Sequence, residues 1–311
     1  MTLPARLSMQ HTSHILMIKP VRFDFNPETA VNNRFQSKSS DTSVQEKALS
    51  EFEIFIDTLR ENDIDVTVIE DTADPYTPDS VFPNNWISFH ENGSILLYPM
   101  FAQNRRKERK KHVLDTVKNK FRIDQIIDLS GYEKDHAFFE GTGSMVLDRE
   151  NKIAYACLSP RTDQKVLDAF CSRMNYSSII FTAVDMHDQP VYHTNVMMCV
   201  ADELVVICLD SIKDLSEKKL LNDSFSQTKK QVMEISFEQM NHFAGNMLQV
   251  HNKNGKKFLV MSTQAFHSLK KEQVGLITKF NSIIHADLTT IETNGGGSAR
   301  CMMAEVFLPV K

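Results

Sequence analysis

Apolar residues along this chain follow two alternating rhythms. Short continuous runs at 15–19, 66–69, 95–98, 153–157, 204–208 and 258–261 have the length and composition of buried strands. Between them, apolar positions recur every three or four residues, the spacing of one helix face. Ala48, Phe52, Phe55 and Leu59 make the first such stripe, in a helix predicted to end near Asn62. Val113, Leu114, Val117 and Phe121 make the second, and Val166, Leu167 and Phe170 the third. A shorter helix is predicted around 215–221, and Val274, Ile277 and Phe280 mark the last. Polar turns at 90–93 (HENG), 148–151 (DREN) and 252–255 (NKNG) lie between paired strands. Each unit opens on a short entry: NNWISF from Asn84, GTGSMVL from Gly141, TNVMMCV from Thr194, GNMLQV from Gly245 and GGGSARCMMAEV from Gly295. These recur roughly every 50 to 60 residues, a period that indicates a cyclic or stacked repeat. The unit reads strand, turn, strand, helix, strand, which buries each helix on its own small sheet. The prediction is therefore an α/β chain forming one domain over residues 1–311.

A polar stretch at 32–44 (NNRFQSKSSDTSV) lacks periodicity and is expected to be a mobile loop able to act as a lid. With 311 residues, 41% apolar and 24% charged, the chain can bury a large core. A net charge of −5 excludes a broadly basic nucleic-acid surface, and the run RRKERKK at 105–111 reads as the solvated first turns of a helix. The longest apolar stretches are too short to cross a membrane, and the first 20 residues lack the basic region and apolar core of a leader, so a cytoplasmic location is expected. Cys157, Cys171, Cys199, Cys208 and Cys301 are odd in number and lack CxxC spacing, which argues for free thiols over disulfides or a zinc site.

The residues able to carry chemistry sit at the unit entries. Cys301 follows Gly295, Gly296 and Gly297 at the start of what reads as a strand, where missing side chains permit close approach of a ligand or a second backbone. His193, in VYHTNVMM, stands at the junction of a loop and a strand. An imidazole beside a thiol can favour thiolate and later deliver a proton. Glu140, in FFEGTGS, is a carboxylate whose burial requires a partner that a histidine would supply. Cys301 and His193 also have bland readings, as a packed core thiol and a structural histidine.

TPDSVFPNNW, FFEGTGS, LSPRTD, YHTN and GGGSARC, in that order, resemble the motifs of the guanidine-modifying superfamily of arginine deiminases, dimethylarginine dimethylaminohydrolases and amidinotransferases. With AVNNRFQ near the N-terminus, the chain is most similar to its citrulline-utilisation hydrolase branch. The resemblance implies a five-bladed α/β propeller with a pseudo-fivefold axis, no metal or organic cofactor, and a small amino-acid substrate, with a homodimer left open. It implies Cys301 as nucleophile, His193 as general acid/base and Glu140 as the carboxylate orienting it. Asp79 would hold the substrate amine, Arg161 its carboxylate, and Arg105 or Arg106 would be a second carboxylate ligand. One departure bears on substrate. Where guanidino-acting members carry acids, this chain has Asn84, Asn85 and Asn195. Neutral amides cannot compensate a buried guanidinium but can donate to a carbonyl and accept from N–H groups. The expected activity is hydrolysis of the ureido group of citrulline or a related amino acid. The alternatives are an enzyme acting on a guanidino compound and a silent amino-acid-binding propeller.

Overall fold

The helix Val44–Glu61 buries Ala48, Phe52, Phe55 and Leu59 completely, as their spacing predicts. Each large apolar side chain so removed from water contributes about 1.5–3 kcal/mol. The helix crosses between His14–Lys19 and Asp65–Glu70, which pair in parallel, a connection that two parallel strands require. The third strand of this sheet, Ala304–Glu305, comes from the other end of the chain and pairs antiparallel with His14–Lys19. A computed structural model describes residues 9–311; residues 1–8, part of the stretch read for a leader, lie outside the described residues.

Four further three-stranded sheets repeat this plan, each an antiparallel pair followed by a helix and a parallel third strand. The second contains Ile87–Phe89, Ser94–Leu97 and Gln125–Asp128, with the helix Lys111–Lys120. Met145–Asp148, Ile153–Cys157 and Ser177–Phe181, with the helix Gln164–Met174, form the third. In the fourth, Met198–Val200, Leu204–Ile207 and Gln231–Glu234 carry the helix Leu215–Gln227. Leu248–His251, Lys257–Ser262 and Ser282–Ala286 form the fifth, with the helices Thr263–Ser268 and Lys271–Thr278.

The apolar core lies between units. Leu16 and Ile69 of the first sheet pack with Ile87 and Ile95 of the second. Leu96 of the second sheet packs with Met145 and Ala154 of the third. Tyr155 of the third shares a cluster with Val205 of the fourth and Leu259 of the fifth. Val260 and Ile284 of the fifth meet Ile15 and Phe52 of the first. Contact therefore passes from each unit to the next and returns to the first. Among the described residues, no helix is long and apolar enough to cross a membrane.

Three local expectations need correction. The helix predicted as short around 215–221 has 13 residues, because Asp214 caps its first turn and the helix runs on to place Ser224 and Phe225 inside. The basic run is not a solvated helix start. Arg105–Glu108 is a separate 3-10 turn with Arg105 and Glu108 buried, and the helix begins only at Lys111. The strand read for Cys301 is corrected by the entries themselves: four of the five, at Pro83–Asn85, Gly141–Ser144, Thr194–Met197 and Ala299–Met302, hold a single helical turn before the first strand. Cys301 accordingly sits on a helical turn rather than a strand.

Candidate active site

Because four of the five entries are single helical turns, the residue at or beside the start of each is turned inward instead of alternating across a sheet. Glu140 and His193 occupy equivalent positions, each the N-cap of its turn, and both are buried. His193 Nε2 lies 2.8 Å from Glu140 Oε2. A carboxylate only accepts, so the proton is on Nε2 and Nδ1 is the acceptor of the ring. Burial lowers the His193 pKa to about 4 against the opposing pull of Glu140. In the unliganded protein the ring is therefore neutral at pH 7, with Nδ1 able to take up a proton. Burial works against ionisation of Glu140, but Arg161, His193 and Arg105 overcome it and hold the carboxyl well below the ordinary range. Glu140 Oε1 also accepts from the backbone N–H of Phe101 at 3.0 Å.

Gly143 lets these groups approach. A Cβ there would lie 2.5 Å from Asn85 Nδ2 and 2.8 Å from His193 Nδ1. At the fifth entry, the glycines preceding Cys301 admit protein rather than leave open space. A Cβ at Gly295 would meet the Phe82 ring at 2.8 Å, and Gly296, at φ +63°, abuts Asn33. Tyr192 OH donates to the Gly296 carbonyl at 2.7 Å, tying this loop to the residue before His193. Cys301 Sγ accepts from Asn195 Nδ2 at 3.5 Å and from Asn246 Nδ2 at 3.3 Å.

The remaining candidates surround this centre in altered roles. Asp79 is buried; its Oδ2 accepts from Asn26 and Thr29, while Oδ1 has no partner. Burial raises its pKa despite Arg105. Arg105, not Arg106, faces the site; Arg106 donates outward to the carbonyls of Met100 and Phe101. Arg105 Nε and Nη2 fork onto Glu108 at 2.8 and 2.9 Å, and Nη1 donates to Asn85 Oδ1 at 2.7 Å. It therefore positions Asn85, while the second hydrogen of Nη1 has Glu140 Oε2, at 3.9 Å, as its nearest charged neighbour. Arg161 Nη1 lies 3.4 Å from Glu140, and its other nitrogens donate to Asn32 Oδ1 and the Thr29 carbonyl.

Asn32 and Thr29 thus occupy the guanidinium expected to meet substrate. Residues 33–37 are anchored over the Gly-rich loop: Asn33 donates to the Gly296 carbonyl, Gln36 to that of Asn294, and the Ser37 N–H to that of Thr293. A cavity of about 650 Å³ is lined by this segment with Met186, His187 and Glu292, and by none of the three candidate catalytic side chains. Sequence reasoning missed Asn246, Glu108, Asn26, Thr29, Asn32 and Glu292. Asn246 was within sight, since GNMLQV had been recognised as a unit entry. Glu292 accepts from Ser298 Oγ at 2.5 Å and so anchors the turn bearing Cys301; burial raises its pKa to about 7. Among the described residues, no cluster of three or more His, Cys, Asp or Glu side chains could hold a metal ion.

Solved structures carry the same fold. The N-terminal domain of ArgZ bearing a covalently bound reaction intermediate aligns with a TM-score of 0.71 and 17% identity, over 95% of this chain and 98% of that one. Full-length ArgZ, an arginine dihydrolase of the cyanobacterial ornithine–ammonia cycle, aligns at 0.75 and 18%, over 96% of this chain; the chain spans 41% of its length. The dimethylarginine dimethylaminohydrolase of Pseudomonas aeruginosa, in a cysteine-to-serine form complexed with citrulline, aligns at 0.63 and 16%, over 95% and 99%. A sequence search of curated proteins returns no match. The family model of eukaryotic N,N-dimethylarginine dimethylhydrolase matches residues 19–308, so the chain belongs to that family, within the guanidino-modifying superfamily, and is homologous to hydrolases of C–N bonds.

Proposed function

We propose that the protein is a cysteine hydrolase acting on the ureido group of citrulline or a closely related amino acid. The observation that carries this reading is the polarity of three buried amides. Asn85 Oδ1 is taken by Arg105, which can only donate, so the free end of Asn85 is the donor Nδ2. Asn84 Nδ2 donates to Thr142 and Asn195 Nδ2 to Cys301, so their free ends are the acceptors Oδ1. A buried polar atom left without a partner costs about 1–3 kcal/mol, which a ligand of matching polarity recovers. One donor and two acceptors match a ureido group, which offers one carbonyl oxygen and several N–H. They do not match a guanidinium, which offers N–H alone and a charge. The nearby carboxylates of Glu108 and Glu140 are already paired with Arg105, Arg161 and His193.

In this reading His193 takes up a solvent proton as substrate binds, Cys301 Sγ attacks the ureido carbon, and the bond to the alkyl nitrogen breaks as His193 gives it that proton. The carbamoyl thioester left on Cys301 is then attacked by water, which gives its proton back to His193. The S–C bond breaks to restore the Cys301 thiolate, the carbamic acid released decomposes to ammonia and carbon dioxide beside the ornithine already formed, and His193 ends neutral as it returns the proton taken from water to solvent. Glu140 orients the ring and stabilises its charged form. Asp79 Oδ1 accepts the substrate amine, and Arg161 takes its carboxylate once Asn32 gives way. We further read the chain as one catalytic domain, its five units set as blades around a single axis; the return of core contacts from the fifth unit to the first supports this.

An arginine-type substrate is the second reading, favoured by the family model, whose members are named for a methylated arginine. Incubating the purified protein separately with citrulline and with arginine, then identifying the amino-acid product, tests the two. Ornithine from citrulline supports the ureido reading, and ammonia with citrulline from arginine supports the other.

A further inference from the structure

Asn246 belongs to the fourth entry along the chain, and its surroundings fix both ends of its amide. Gly245 makes the approach possible: a Cβ there would fall 2.3 Å from the Val196 carbonyl oxygen. The backbone N–H of Arg300 donates to Asn246 Oδ1 at 3.1 Å, so the oxygen must face that way. Asn246 Nδ2 then spends one hydrogen on the Asn195 carbonyl at 2.8 Å and the other on Cys301 Sγ at 3.3 Å. The residue is completely buried, and every polar atom of its side chain is used. Asn195 supplies a second N–H to the same sulfur, at 3.5 Å.

From this geometry we propose that Asn246 and Asn195 form an uncharged cradle that holds Cys301 as a thiolate before any substrate charge is present. This rests on Cys301 being the nucleophile. Two N–H donors aimed at one sulfur favour its ionised form, because a thiolate has lone pairs for both while a thiol must also place its own hydrogen. Reactive thiolates are commonly held by a cation or a helix N-terminus. Among the described residues, the hydrogen-bond partners of Cys301 Sγ are these two neutral amides. That arrangement suits a neutral substrate, which brings no cation of its own to draw the proton off the sulfur. Asn195 thereby keeps Nδ2 on the nucleophile while its Oδ1 stays without a partner.

The test is the pH profile of alkylation by iodoacetamide in the unliganded protein, with the labelled cysteine identified by mass spectrometry. The thiolate displaces iodide, and the proton it has lost is in bulk water, so the profile reads the fraction ionised. Asn246→Ala and Asn195→Ala each withdraw one donor from the thiolate. Each is expected to raise the pH of half-limiting rate and slow labelling about ten-fold below that pH, with a larger shift in the double variant. Circular dichroism and melting identify folded variants, and Asn195→Ala carries the test if Asn246→Ala does not fold. A midpoint unchanged in folded variants overturns the proposal, as does a uniform fall in rate at every pH, which would mark a purely steric role. Labelling of another cysteine in place of Cys301, with activity kept in Cys301→Ser, overturns the nucleophile reading itself and is distinct from both.

Discussion

Arg105 donates to Asn85 through Nη1 at 2.7 Å, and this contact decides which end of the Asn85 amide is free. Glu108 holds the same guanidinium in a fork, so the donor end of Asn85 is set by a buried relay and not by local rotamer choice. Changing Asn85 to Asp keeps the oxygen that Arg105 uses and turns the free donor into a charged acceptor of nearly the same shape. Together with Asn195→Asp it should abolish citrulline hydrolysis and improve relative affinity for arginine by about 1–3 kcal/mol. Calorimetric binding of both amino acids to the doubly substituted Cys301→Ala protein checks this. Unchanged preference would mean that these amides do not read the substrate.

Cys301→Ala and Cys301→Ser are each expected to lose turnover with the fold kept, because a hydroxyl is a far weaker nucleophile than a thiolate at neutral pH. Cys157, Cys199 and Cys208, whose thiols burial pushes to about 12, 12 and 11, should be dispensable for chemistry. Cys171, likewise raised to about 11, should behave the same way. Steady-state rates of the single variants decide it. Turnover surviving in both Cys301 variants would contradict the covalent step.

His193→Ala should remove most activity, and Glu140→Gln should weaken it by releasing the ring. The pair also predicts acid lability with a definite sign. In the unfolded chain the histidine takes a proton near 6.5, but in the fold only near 4, so stability is full above 6.5 and falls as pH drops through that window. The difference is on the order of 3 kcal/mol. Glu140, depressed below 4.5, acts in the same direction lower down, contributing above 4.5 and losing its contribution as pH falls through its folded value. His193→Gln keeps a donor for Glu140 without titrating, so its melting temperature should vary less between pH 6.5 and 4 than that of the unaltered protein. Parallel curves would show that His193 does not titrate as described.

Thr29 donates to Asp79, and Asn32 with the Thr29 carbonyl accepts from Arg161. Under the proposed function, substrate displaces Asn32 from Arg161, and residues 33–37, anchored at Gly296, Asn294 and Thr293, stay over the ligand. Hydrogen exchange of this segment should be slower with citrulline bound to Cys301→Ala than without it. Equal exchange would count against a lid.

Much of this was legible in the chain because the repeat writes itself in periodicities. The stripe Ala48, Phe52, Phe55 and Leu59 and the fully buried strand Leu204–Ile207 need only local rules. The entries were legible as punctuation but not as conformation. GTGS and TNVM give no sign of a helix in the sequence because a single helical turn is too short to show a 3.6-residue period. The charge run at 105–111 misled for a related reason: sequence shows that Arg105 is charged, not that Glu108, Asp79 and Glu140 surround it. Asn246 was passed over since asparagine carries no reactive signature; its role appears only when the fourth entry is folded against the fifth.

The central claim is that the pocket is built for a neutral ureido group. Its most direct test is equilibrium binding of citrulline and arginine to the Cys301→Ala protein with every other residue unaltered, which separates recognition from chemistry. Tighter binding of citrulline is the result predicted by the free Nδ2 of Asn85 and the free Oδ1 atoms of Asn84 and Asn195. Tighter binding of arginine would contradict it and make this a guanidino-acting enzyme.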